Sequence, residues 1–150
     1  NMANQYAVNH KKRHVTKPSK LTDVADQGGR MRMMYDKFTF TTSGELTVGD
    51  TISFGKLPPG AKVWDAAMHV SASLASSTTL ALGITGTAAA FLAAAASTGA
   101  GTRYMREGVS NITQAPVTIT SETTVIATLA GANTTSTSAF VEVRIYYTVD

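Results

Sequence analysis

The stretch from Asp50 to Val70 has the clearest pattern of apolar and polar positions in the chain. Ile52 and Phe54 alternate with small polar residues, which is the period-2 pattern of a half-buried strand. The two prolines that follow, at positions 58 and 59, have no N–H to donate to a neighbouring strand. Gly60 can adopt a positive φ without a Cβ clash. A mostly apolar run follows. The stretch therefore predicts a strand, a rigid corner and a second strand, and we expect the core to assemble around this unit.

The same alternation predicts strands along most of the chain after residue 30. The predicted segments are 31–42, 61–73, 78–84, 102–107, 115–120, 123–129 and 138–149. In the first of them, Phe38 and Phe40 fall on one face and the neighbouring threonines on the other. The last segment is the longest, and we expect it at the centre of a sheet with its odd-numbered side chains, from Val141 to Val149, facing the core.

An alanine-rich block interrupts this pattern between Gly86 and Gly101. Alanine is the best helix former, although a run of about nine residues is marginal as an isolated helix. We therefore predict one short helix of about two turns over residues 88–96, folded across an end of the sheet.

The composition is typical of a β-rich fold. The 150 residues include 23 threonines and 12 serines, and threonine suits strands because its branched Cβ packs well on a pleated surface. A chain of this length is typical of one domain. Several strands separated by turns at short intervals predict an all-β sandwich of two sheets. We favour a jelly roll, because that fold pairs many strands with little exposed edge.

Charge divides the chain into two parts. Residues 1–32 carry seven basic and two acidic residues, a net charge of +5, whereas residues 33–150 carry a net charge of −2. The first part has few large apolar residues and no sustained period, so we predict a basic extended or disordered arm (1–32) attached to a β-sandwich domain (33–150).

The basic residues of this arm are candidates for binding a negatively charged partner. They are Lys11, Lys12, Arg13, Lys17, Lys20, Arg30 and Arg32. Nucleic acid is disfavoured as that partner, because Tyr6 is the only aromatic residue of the arm and one ring is no stacking platform. The alternative is a solvated tail without a partner.

The residues needed for metal binding and nucleophilic catalysis are sparse. The chain has no cysteine, so neither a disulfide framework nor a thiolate metal site is expected. His10 and His14 flank basic residues that would repel a cation, and His69 falls in a predicted strand, where we expect a structural or solvent-facing role.

Paired carboxylates remain the open possibility for catalysis, because several acidic residues could meet in space. The candidates are Asp65, Glu107, Glu122 and Glu142. We expect most of them on solvated strand faces, and no phosphate-binding glycine loop is present. No apolar run reaches the ~20 residues that a membrane span needs. The chain is therefore predicted to be no enzyme and to bind no cofactor, small-molecule substrate or membrane.

Two motifs resemble a family of tailed-bacteriophage virion structural proteins. Residues 44–52 match G-x-L-x-x-G-D-x-I and residues 57–63 match L-P-x-G-A-[KR]-V. A small-residue block at 80–92 and a late strand at 123–129 extend the resemblance, which covers about Phe38 to Val149. The arm has no counterpart in this pattern.

The resemblance implies a capsid-associated role, most of all that of a head decoration (cement) protein. Such a protein binds the outer surface of the capsid, on the major capsid protein, and stabilises the shell, often as a trimer. In that setting we expect the arm to lie along the major capsid protein. The alanine- and serine-rich region 75–98 would allow close approach between subunits, although packing inside the core is the simpler reading.

Two alternatives remain. One is another virion component, such as a head–tail connector or a tail protein. The other is a carbohydrate-binding β-sandwich module, which needs exposed aromatic rings for stacking. The candidates for such rings are Trp64, Tyr104, Tyr146 and Tyr147.

Overall fold

The computed structural model describes residues 30–105 and 116–149, which form nine β-strands and, within these ranges, no helix. The strands are β1 (Arg32–Thr39), β2 (Thr51–Leu57), β3 (Ala61–Val70), β4 (Thr79–Ile84), β5 (Thr87–Ala96), β6 (Gly101–Tyr104), β7 (Val117–Thr118), β8 (Thr123–Ala130) and β9 (Phe140–Val149). A strand is confirmed in each predicted segment within the described residues, most of them with shorter bounds, whereas β8 is one residue longer than predicted. The boundary predicted between residues 32 and 33 stays a prediction.

The strands form two antiparallel sheets. Sheet A has the order β1-β9-β3-β6, with the short β7 also paired to β3, and sheet B has the order β2-β8-β4-β5. Most connections cross from one sheet to the other, and the β4–β5 turn joins neighbours within sheet B. The all-β, two-sheet prediction is therefore confirmed.

The hydrophobic core lies between the inner faces of the two sheets. In β9, which runs between β1 and β3, Val141, Val143 and Ile145 are fully buried, and Tyr147 and Val149 pack against the core from the strand end. The central position and inward face predicted for this strand are confirmed. Each fully buried aliphatic side chain of this kind contributes about 1.5–3 kcal/mol relative to exposure.

The proline-rich corner carries the chain from sheet B to sheet A. Gly60 has a φ of 84°, and its N–H donates to the carbonyl of Ile119 at 2.8 Å. Leu57 before the corner and Ala61 after it are both fully buried. The corner is thus anchored in the core on both sides, as the sequence pattern predicts.

The predicted alanine-rich helix is wrong, because residues 87–96 form strand β5 at the edge of sheet B. Phe91 and Leu92 are fully buried, and Leu92 lies opposite Leu82 of β4. Helix propensity of alanine is a weak preference that tertiary packing routinely overrides. Here the apolar pair in the middle of the block gains more from the inter-sheet core than a two-turn helix could gain from propensity.

Arg103 forms hydrogen bonds at an irregularity in the pairing of β4 with β5. The β4–β5 register shifts between Leu80 and Leu82, as it does at a β-bulge. Arg103 of β6 reaches across from sheet A and donates to the carbonyls of Ala93 and Leu80 at 2.9 and 2.7 Å. Partial burial lowers the pKa of Arg103 from its ordinary value. The guanidinium therefore joins the edges of the two sheets.

Buried hydroxyl groups form hydrogen bonds between the connecting loops at one end of the sandwich. Thr134 is fully buried, accepts a hydrogen bond from the Leu46 N–H on its hydroxyl at 3.1 Å and donates its own N–H to the Leu46 carbonyl at 3.0 Å. Similarly, the Ser97 hydroxyl donates to Thr78, whose hydroxyl donates to the Ala75 carbonyl. These bonds give part of the high serine and threonine content a structural role, since buried polar groups require partners.

Gly83 provides a direct test of the close β4–β5 packing. A Cβ at this position would collide with the backbone carbonyl oxygens of Thr87 and Ala88. We predict that Gly83→Ala lowers the free energy of unfolding by about 1–3 kcal/mol, the usual cost of forcing an atom into a packed site. Chemical denaturation measures this loss.

Gly99→Ala is the matched control, because a Cβ added there would meet no atom within 4 Å beyond its own chain neighbours. We expect this variant to be neutral or stabilised by a few tenths of a kcal/mol. Equal effects of the two substitutions would contradict the steric explanation.

Candidate functional site

The predicted arm residues are only partly within the described structure. Lys11, Lys12, Arg13, Lys17 and Lys20 lie outside the described residues. Arg30 and Arg32 are both exposed, and Arg32 begins β1 at the edge of sheet A. These two arginines therefore lie at the edge of sheet A.

The outer face of sheet A carries aromatic, sulfur-containing and charged side chains. The strand registers place these residues on it: Met33, Tyr35 and Lys37 of β1, Phe140, Glu142, Arg144 and Tyr146 of β9, Asp65, Ala67 and His69 of β3, and Thr102 and Tyr104 of β6. Tyrosine, arginine and methionine are enriched in protein–protein interfaces. This face therefore carries residue types that interfaces favour, beside lysine and acidic residues, which interfaces disfavour.

The outer face of sheet B differs from that of sheet A in the size of its side chains. The registers place small side chains such as Thr51, Ser53, Thr79 and Ala81 on it, together with Ile126 and Thr128 of β8. In the described part of the chain, this face has no aromatic residue. We therefore regard the outer face of sheet A as the candidate functional site.

Contacts within the outer face of sheet A fix several of its side chains. The Tyr35 hydroxyl donates to Oε2 of Glu142 at 2.6 Å, and Nζ of Lys37 lies 4.9 Å from the centroid of the Phe140 ring. Nδ1 of His69 is 2.8 Å from Oγ1 of Thr102. His69 therefore lies on the outer face of sheet A with a hydroxyl partner on the neighbouring strand.

The Tyr35–Glu142 contact also changes the acidity of the phenol. The hydrogen bond to the carboxylate, aided by some desolvation and by its negative charge, raises the pKa of Tyr35 above its ordinary value. The protonated phenol is therefore the form that this face holds in place.

The candidate carboxylates do not form a catalytic pair in the described residues. Asp65 lies opposite Tyr146, and Glu142 lies opposite His69. Tyr146 and Glu142 are four residues apart along β9, so the backbones of Asp65 and Glu142 are separated by about 13 Å in the strand direction. Glu122 lies beside sheet B, where it forms an exposed ion pair with Lys56 at 3.6 Å. Glu107, His10 and His14 lie outside the described residues.

Other features of the described residues add no chemical site. No group of three histidine or acidic side chains in 30–105 and 116–149 is placed to hold a metal ion. An open pocket of about 360 Å³ beside the Lys56–Glu122 pair has a lining of threonine and serine. Over the same residues, no helix has the length and apolarity to cross a membrane.

The four aromatic residues predicted as candidates for sugar stacking do not all lie on one surface. Tyr147 faces the core, and the half-buried Trp64 donates its indole N–H to the Thr148 hydroxyl at 2.8 Å. Tyr104 and Tyr146 lie on the outer face of sheet A, on strands that β3 separates.

Comparison with known proteins places this fold among phage capsid structures. Similar chains occur in the capsid asymmetric unit of cyanophage Pam1 (22% identity, TM-score 0.62, 81% of this chain and 86% of that chain) and in the capsid of Ralstonia phage GP4 (19%, 0.56, 79% and 85%). Another lies in the acid-stable capsid of Helicobacter pylori bacteriophage KHP30 (17%, 0.54, 79% and 87%). The likeness is one of fold.

These matches span most of each chain, so the chains compared are of similar length. No protein-family model and no curated protein sequence matches the chain.

The outer face of sheet A is a surface that was not predicted from the sequence. Its signal is present in the alternation of β1, where Met33, Tyr35 and Lys37 occupy the positions between the inward Met34, Asp36 and Phe38. The other strands of this face become neighbours only through long-range pairing, which the alternation does not specify.

The Tyr35–Glu142 hydrogen bond makes a pH-dependent prediction. Below pH about 10 the phenol is protonated whether the chain is folded or not. Because the folded-state pKa is raised, the contribution of this bond to stability is present below that pH and is lost as the pH rises through the folded pKa. We predict that Glu142→Gln lowers the pKa of Tyr35 toward its ordinary value.

Carbon-13 NMR of labelled tyrosine rings measures this pKa, with Tyr35→Phe assigning the resonance. Glu122→Gln is the control, because it removes an exposed carboxylate beside the other sheet. A Tyr35 pKa that Glu142→Gln leaves unchanged would show that the bond does not form in solution.

Proposed function

We propose that this chain is a non-enzymatic phage virion structural protein that binds the outer surface of a capsid and stabilises it, as head decoration (cement) proteins do. The observation that carries the proposal is the fold likeness to chains in three phage capsids, with 85–87% of each of those chains covered. Chains of this fold and about this size therefore occur in phage capsids. Their occurrence supports a structural role in a virion for this chain.

The strand order supports the jelly-roll version of the sandwich. The first and last strands pair in sheet A, β2 and β8 pair in sheet B, and the chain moves between sheets at most connections. Nested pairing of early with late strands is the arrangement expected when two Greek keys wrap around one core. In this proposal the sandwich is a rigid platform that presents its outer faces.

The surface chemistry supports binding in place of catalysis. The described carboxylates are separated or exposed, while Tyr35, Lys37 and Arg144 lie together on one outer face. A basic segment enters the domain beside this face. Adhesion to another protein needs such a combination of apolar and charged groups, and needs no reacting pair.

We propose that the major capsid protein is the partner and that the chain assembles as a trimer, as the resemblance to decoration proteins implies. The small exposed side chains of the outer face of sheet B, including Thr51 and Ser53, would allow two subunits to approach closely. The block at 75–98 is partly used elsewhere, because Leu80, Phe91 and Leu92 are buried in the core.

The oligomeric state is tested by light scattering on the purified chain. We expect a mass three times the 15.7 kDa of one chain. Because binding to a shell can itself drive assembly, the measurement is repeated on protein released from shells. A single-chain mass in both samples would contradict the trimer and leave shell binding untouched.

The proposed function is tested with empty shells assembled from the major capsid protein of the genome that encodes this chain. The full chain should co-sediment with these shells, coat their outer surface in electron micrographs and raise the temperature at which they disassemble. Density confined to one vertex or to a tail would instead identify a connector or a tail protein. Absence of binding would contradict the proposal.

The arm makes a separate prediction within this experiment. Lys11→Gln/Lys12→Gln/Arg13→Gln should weaken shell binding about 10-fold, from roughly 0.5 kcal/mol for each exposed ion pair lost. Added salt should shrink the difference, because it screens exposed charges. Lys56→Gln, beside sheet B and engaged with Glu122, is the control and should bind as the unaltered chain does. Equal binding by the arm variant would leave the arm as a solvated tail.

A further inference from the structure

Exposed apolar side chains cluster at the start of β1. Met31, Met33 and Tyr35 are 55, 54 and 52% exposed, and among the described residues Val48 is the one other large apolar side chain exposed to this degree. Met33 and Tyr35 share the outer face of sheet A, and Met31 continues the same alternate spacing. We call these three residues the β1 stripe. Single exposed apolar residues are ordinary, whereas a contiguous set indicates an interaction site.

The β1 stripe combines one fixed side chain with two flexible ones, which suits a partner that covers the outer face of sheet A. The Tyr35 hydroxyl is fixed by Glu142 at 2.6 Å, so its ring has little freedom to lose on binding. The methionines are flexible and polarizable and can adapt to an irregular groove. One rigid aromatic side chain beside two adaptable ones is a suitable anchor for a protein surface.

The edge of β1 is protected against pairing with another strand. Asp36 lies on the inner side of this edge strand, where its carboxylate accepts the Lys37 N–H at 2.8 Å. Charged residues on edge strands, above all inward-pointing ones, oppose edge-to-edge association. A partner of the β1 stripe therefore covers its outer face and does not extend sheet A.

The charge next to the β1 stripe selects among possible partners. Residues 1–32 have a net charge of +5, and Arg30 and Arg32 flank Met31. A two-fold contact between copies places the same patch on both sides, so it would bring two such basic segments together. Like charges facing each other at an interface are unfavourable. The complementary partner is a surface that combines an apolar groove with acidic residues.

We propose that the β1 stripe is the apolar anchor with which this chain docks in a groove, bordered by acidic side chains, on the outer surface of the shell protein. This inference rests on the proposed function and specifies where the contact is made. The stripe spans about 14 Å at 3.4 Å per residue, too short for a standard interface of roughly 800 Å² per partner. The adjoining outer face of sheet A supplies the remaining contact area.

The test uses the full chain with Met31→Ser/Met33→Ser and the same empty shells. Either single substitution should weaken shell binding about 10-fold, and the double substitution about 100-fold, because docking removes each of these exposed side chains from water. The loss should persist at high salt, unlike that of the arm variant, since apolar burial is not screened. Val48→Ser is the matched control: it is equally exposed but lies on the loop that follows β1, and it should bind unchanged.

The outcomes separate this inference from the function on which it rests. If the unaltered chain binds shells and the double variant binds equally well, the anchor is overturned and the proposed function stands. If the unaltered chain does not bind, the proposed function itself fails. If the double substitution converts an oligomer of the free chain into single chains, the β1 stripe is an interface between copies and the inference is overturned. Thermal unfolding of each variant checks that these exposed substitutions leave the fold intact.

Discussion

The fold is stabilised above all by the burial of two apolar sheet faces against each other. The central strand of each sheet supplies a row of fully buried side chains, Val141, Val143 and Ile145 from β9 and Val125, Ala127 and Leu129 from β8. Neither sheet can keep its inner face in water, so each requires the other. Connections that pass between the sheets, including the proline-rich corner, follow from this requirement.

The edges of the sandwich need separate solutions, because two open sheets leave backbone groups unpaired there. Arg103 supplies donors for carbonyls at the irregular β4–β5 pairing, and Asp36 places a charge on the inner side of β1. Thr134 binds the loop between β1 and β2 to the loop between β8 and β9. At these places polar side chains supply hydrogen bonds that the ends of the sheets would otherwise lack.

The two outer faces are free to differ, because neither takes part in the core. Sheet A presents tyrosines, methionines and mixed charges, and sheet B presents small hydroxyl and methyl groups. In the proposed function, the outer face of sheet A contacts the shell, and the outer face of sheet B leaves room for copies of the chain to pack together. The likeness to chains of phage capsids is one of fold.

Local elements and inward faces follow from the amino-acid pattern alone. Alternation is a property of neighbouring residues, so β2, β9 and the corner at Gly60 could be predicted directly. Which strands become neighbours, and which outer residues meet, depends on how the whole chain folds. The strand formed by 87–96 was missed because its stabilising contacts come from β4 and the opposite sheet, and the pairing of Tyr35 with Glu142 joins residues 107 positions apart. Such long-range contacts depend on chain topology, which the local pattern of side chains does not encode.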